Sequence, residues 1–97
     1  MFEPEKKRYL TRGVDETIPV ELQLFMWEAI DHMPEPKDYL QVFELSVENC
    51  LQVIHHTSEQ PEYEMTYILP TTENTVQAKI YCIDSDTYCT MLLAEEY

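Results

Sequence analysis

Over residues 39–94 apolar and polar side chains alternate with a two-residue period, interrupted at regular intervals by short turn signals, and no other feature narrows the possible folds as far. The pattern predicts half-buried strands at 39–47, 50–57, 62–69, 76–83 and 87–94, rich in β-branched and aromatic residues. The connections, Glu48-Asn49, residues 58–61, residues 70–75 and Asp84-Ser85-Asp86, are short enough for antiparallel hairpins. Alternation also assigns faces. Phe43, Leu45 and Val47 oppose Glu44 and Ser46; Tyr63, Met65, Tyr67 and Leu69 oppose Glu62, Glu64 and Thr66; Val76, Ala78, Ile80 and Cys82 oppose Gln77, Lys79 and Tyr81.

Before residue 39 the period is different. A strand is expected over 8–14, with Gly13, the single glycine, marking a positive φ or a bulge. A helix is then expected over 19–33, capped by Asp15 or Thr17, with Pro19 in its first turn and Glu21 near its positive end. It should stop before Pro34 and Pro36. Leu22, Phe25, Met26, Ala29, Ile30 and Met33 form one apolar stripe, which should lie on the sheet. Val20, Leu24 and Trp27 form a second, which either the chain termini or a partner must cover. The expected architecture is α+β: an antiparallel sheet of five or six strands with one long helix packed on one face, in a single domain over residues 1–97 whose first seven residues are loose.

Charge bounds the functions this fold can serve. The 97 residues carry 19 acidic and 6 basic side chains, a net charge of −13, yet 44% are apolar and 11% aromatic, so the acidity does not signal disorder. Lys6, Lys7, Arg8 and Arg12 supply four of the six cations. From Gly13 onward only Lys37 and Lys79 face 17 carboxylates (all 19 but Glu3 and Glu5), a balance of −15. Direct nucleic-acid binding needs cations against phosphate, and anionic membranes repel such a surface, so neither is expected. The N-terminus is charged at once and lacks the apolar run of a signal peptide, and the longest apolar run, Leu24 to Trp27, is far too short to span a bilayer. A cytoplasmic protein is expected. Cys50, Cys82 and Cys89 are odd in number without close spacing, which suits buried thiols better than disulfides or zinc.

Motifs with chemistry are sparse. One glycine cannot build a phosphate-cradling loop. His55 and His56 are adjacent in a strand and point to opposite faces, so they cannot easily share a metal, and His32 sits near the end of the helix. Asp84-Ser85-Asp86 lacks the glycine and distal Glu of a calcium loop. No cofactor or metal is expected. The leading expectation is a non-catalytic interaction or accessory module that binds another protein or itself, offering an acidic surface to a basic, nucleic-acid-binding partner and an apolar helix patch of Val20, Leu24 and Trp27 beside Asp31. The alternative is a small hydrolase or metal-dependent enzyme with a site near His55, His56 and the Cys82–Cys89 hairpin.

Several strings carry a resemblance: Tyr9-Leu10-Thr11-Arg12-Gly13-Val14, Leu22-Gln23-Leu24 with Trp27, Asp38-Tyr39-Leu40-Gln41-Val42-Phe43-Glu44-Leu45, and Thr90-Met91-Leu92-Leu93 followed by Glu95-Glu96-Tyr97. Together they resemble the small bacterial family called domain of unknown function 960, found in low-GC Gram-positive bacteria and some of their mobile elements. The resemblance covers nearly the whole chain. It implies a cytoplasmic, one-domain bacterial protein and brings no activity or catalytic residues with it.

Overall fold

A computed structural model describes residues 1–70 and 74–97. In chain order the elements are β1 (Lys7–Leu10), α1 (Arg12–Thr17), α2 (Val20–Asp31), β2 (Leu40–Glu48), β3 (Leu51–Glu59), β4 (Glu62–Leu69), β5 (Ala78–Asp84) and β6 (Tyr88–Leu93), with a short 3-10 turn at Ala94–Glu96. Among the described residues the strands form one sheet in the order β1-β6-β5-β2-β3-β4.

Two parts of the expected architecture are corrected. The sheet is mixed, because β1 runs parallel to β6, with Arg8 opposite Cys89 and Leu10 opposite Met91, while the other four pairings are antiparallel. In place of one long helix there are two short ones, of 6 and 12 residues. The local chemistry explains the division. Thr11 leaves the strand in extended geometry and its hydroxyl accepts the Val14 N–H at 3.4 Å, capping α1 where a strand to residue 14 was expected. Pro19 then holds Ile18 extended (φ −108, ψ 120), which ends α1 and makes Pro19 the residue before the first turn of α2. Asp15 and Thr17, the expected caps, lie inside α1, where Thr17 donates back to the Gly13 carbonyl at 2.7 Å.

Gly13 has a role other than the one expected. It sits in α1 without positive φ. A Cβ there would meet the Glu96 carboxylate at 2.6 Å and Leu93 Cδ1 at 2.8 Å. That carboxylate accepts from Thr11 Oγ1 (2.6 Å), Gly13 N (3.1 Å) and Leu93 N (2.8 Å), so the end of the chain clasps the start of α1. The absence of a side chain is what permits the approach.

The helix stripe falls where its period places it: Leu22, Met26, Ala29 and Ile30 are buried and Phe25 is partly buried against the core. Beneath lie Phe43, Leu45, Ile80 and Cys82, from the faces that alternation set apolar against polar, together with Ile54 and Met91. The opening segment is held rather than loose, since Phe2 is fully buried in the same cluster and Lys6 bonds Asp84 Oδ1 at 2.9 Å. The β2–β3 turn is carried by Asn49 and Cys50, both at positive φ (51 and 64), one residue later than expected. The connection expected at 70–75 runs through residues 71–73, which lie outside the described residues.

Candidate functional site

The apolar patch expected on the helix is divided by the fold. Trp27 is only 8% exposed and belongs to the core, covered by β1: the Arg8 guanidinium lies 5.0 Å from the ring centroid and bonds Asp31 through both nitrogens, at 3.1 and 2.5 Å. Trp27 thus belongs to the interior, with the Arg8–Asp31 pair at the surface over it, and the chain's own N-terminal strand covers this end of the stripe. Val20 and Leu24 remain, at 62% and 61% exposure.

The residues named for an enzymatic reading are not brought together. His56 points into the core and His55 to the opposite face, where its Nε2 meets Glu64 Oε2 at 2.6 Å. His56 is fully buried, stacked on Phe43 with ring centroids 4.1 Å apart and edge-on to Tyr63 at 5.1 Å. Gln41 donates through Nε2 to the Asp38 carbonyl, which leaves its Oε1 to accept from His56 Nε2 at 2.7 Å. Burial, with His55 adding repulsion, lowers the His56 pKa to about 4, so the ring is neutral at pH 7. Burial also raises the Cys82 thiol, and raises Cys89 to about 11, where the thiol donates to Asp84 Oδ1 at 3.2 Å. Both are held as thiols, the unreactive form. Among the described residues no group of three or more His, Cys, Asp or Glu side chains is placed to hold a metal ion.

What the fold does build is a groove. Strands lie about 4.8 Å apart, so six span roughly 24 Å, whereas a helix with its side chains is only about 10 Å wide. With Trp27 and Asp31 turned toward β1, α2 leaves the β4 margin of the core face uncovered. There one cavity of about 320 Å³ is lined by Pro19, Glu21, Leu22, Phe25, Gln52, Leu69, Asn74 and Thr75. A second, of about 280 Å³, is lined by Phe25, Glu28, Ala29, His32 and Tyr67. Phe25 is shared and meets Tyr67 edge-to-face at 5.0 Å. The buried Gln52 amide anchors the floor, donating to the Ser46 and Val76 carbonyls at 2.9 and 3.1 Å and accepting from Val76 N at 2.9 Å.

A profile described as a staphylococcal protein of unknown function, DUF960, matches residues 7–96. The chain belongs to the DUF960 family. The fold is also similar to the crystal structure of a protein of unknown function from Enterococcus faecalis, with a TM-score of 0.87 and 28% sequence identity over 99% of this chain and 94% of that one. No curated protein matches the sequence.

In this DUF960 chain the groove and its flank carry one sign of charge. From Asp38 to Ala78 there are seven carboxylates and no Lys or Arg, and α2 has no Lys or Arg either. Glu21 and Glu28 rim the groove from the helix, and Glu62 and Glu64 are exposed on β4. Beside them Met65 and Ile68 are exposed at 43% and 63%. Strand alternation pointed to Tyr63, Met65, Tyr67 and Leu69 as core, whereas Met65 is exposed and the other three are half-buried. It did not show that the helix would leave this margin half-buried, and the available signals were Ile68 on the otherwise polar face of β4 and the cation-free stretch around it.

Proposed function

We infer that this protein is a non-catalytic protein-binding module of the cytoplasm that meets its partner on its acidic β4 side. The observation that carries the reading is the apolar groove between α2 and β4, bordered by an edge strand with two exposed apolar side chains and flanked only by acidic charge. Concave apolar surface of this kind is a recognition feature, and its charge favours rapid encounter with a basic partner. The exposed Val20 and Leu24 offer a smaller apolar area on the side of α2 turned toward β1. Distribution of His55 and His56 on opposite sheet faces, with both hairpin thiols protonated, supports binding over chemistry.

Site-specific photo-crosslinking tests this. A photoreactive residue replacing Ile68 should give a discrete protein adduct in extract of the native host, and one replacing the exposed Tyr9 on β1 should not. Equal labelling from both positions, or none from Ile68, overturns the reading.

A further inference from the structure

We propose that β4 receives an extended, basic segment of the partner protein as a seventh strand, with alternate side chains of that segment entering the groove beside α2. The proposal rests on the protein-binding reading above and names how the partner is held. Among the described residues β4 pairs with β3 alone, over all eight of its residues from Glu62 to Leu69. Its outer backbone groups therefore form a row of free donors and acceptors about 26 Å long at roughly 3.3 Å per residue. Edges of this length are usually blunted by Pro, Lys, a bulge or a covering loop. The segment Glu62–Leu69 contains neither Pro nor Lys, and its register with β3 is uninterrupted from Gln52↔Leu69 to Glu59↔Glu62.

The two faces of β4 specify what the added strand must look like. On the core side Tyr67 and Leu69 are half-buried and line the groove, with Tyr63 half-buried and Met65 exposed on the same face, so the incoming positions on that side must be apolar. On the other side Glu62 and Glu64 stand exposed, so the alternate positions must be Lys or Arg. Charge decides between a foreign segment and a second copy. Two chains each at −13 repel as they approach, and the margin has no Lys or Arg to relieve that repulsion, whereas an alternating basic strand brings the missing counter-charge to both glutamates. Strand addition draws its affinity from main-chain hydrogen bonds and its selectivity from alternate pockets, which is what this margin offers.

The probe is a capped nine-residue peptide of alternating lysine and valine, with the same composition rearranged to helical spacing as control. In an edge strand every second amide lacks a protein partner, so alternate β4 amides should exchange quickly in the free protein. Adding the alternating peptide should slow those amides by tenfold or more, while the rearranged peptide leaves them unchanged. Raising salt from about 0.05 to 0.5 M should weaken binding, as should Glu62→Lys with Glu64→Lys, by about tenfold or more for the double variant. Binding without protection of alternate β4 amides overturns strand addition. So does failure of the peptide to bind while the Ile68 crosslink forms, which leaves the protein-binding reading standing alone. Alternate β4 amides already protected in a species of doubled mass would assign the edge to a second copy and also overturn the proposal.

Discussion

At one margin of the sheet β1 contributes four residues, lies parallel to β6, and is followed at once by a helix that packs back on both strands. At the other, β4 contributes eight residues, pairs antiparallel with β3 and is followed by no helix among the described residues. The difference extends to charge. Lys6 pairs with Asp84, Arg8 with Asp31 and Arg12 with Glu16, so three of the four N-terminal cations meet carboxylates within the fold. The basic lead-in therefore does not balance the acidic surface; much of it is spent internally closing the β1 margin. At the β4 margin the apolar groove stays open and the carboxylates of β4 meet no Lys or Arg, Glu64 having only His55 beside it. A fold that ties one edge down and leaves the other open has one side suited to stability and one to recognition.

The sharpest way to break this comparison is to cut equivalent apolar mass from each margin. Trp27→Ala removes a buried ring and the platform under Arg8, and large-to-small changes of this kind cost about 3–5 kcal/mol. Ile68→Ala, at a position 63% exposed, should change stability by less than about 0.5 kcal/mol. Urea titration of both variants checks the contrast. Comparable losses would mean that the β4 margin is as much a part of the folded core as β1.

Residue pattern revealed much of the fold and little of the site, for identifiable reasons. Strand faces were readable because alternation reflects burial directly, as with Phe43 and Leu45 inward beside Glu44 outward. The extra helix α1 was not, because Arg12–Thr17 falls where a strand to residue 14 and a cap at Asp15 or Thr17 were expected, and a six-residue helix is too short to show a helical period of its own. Parallel pairing of β1 depends on which distant strand its four residues dock against, and local pattern carries no record of that. Trp27 illustrates the limit most clearly. Its helix face was correct, but the strand that covers it lies 19 positions earlier in the chain, at Arg8. The groove is harder still to foresee, since it follows from a mismatch between sheet width and helix width rather than from any residue.

Acid should loosen the interior on the β3–β4 side. His56 sits between Phe43 and Tyr63 as a neutral ring, with its pKa lowered by burial from 6.5 to about 4. The unfolded chain takes up this proton below about pH 6.5 and the folded chain resists until about pH 4, so the unfolded state binds more protons across that window. Stability should accordingly be unaffected by this group above pH 6.5 and fall by about 3 kcal/mol between pH 6.5 and 4. Chemical unfolding at a series of pH values measures the slope. In His56→Leu the portion of the slope between pH 6.5 and 4 should disappear, and a slope that survives there would assign the acid sensitivity to other groups.

The smallest expected effect tests the clasp that closes the β1 margin. Gly13→Ala brings two opposing consequences: alanine favours the helical backbone by about 1 kcal/mol over glycine, while its methyl occupies the space of the Glu96 carboxylate, 2.6 Å away. Displacing that carboxylate forfeits its bonds from Thr11, Gly13 and Leu93. In the wild-type background the clasp should prevail and Gly13→Ala should destabilise. With Glu96→Ala already present nothing remains to displace but the Leu93 methyl, which can rotate aside, so the same change should then stabilise by up to about 1 kcal/mol. A thermal-melt double-mutant cycle reads this reversal of sign directly. If Gly13→Ala has the same sign in both backgrounds, the glycine serves the local backbone alone, and the β1 margin is held by its ion pairs rather than by the returning C-terminus.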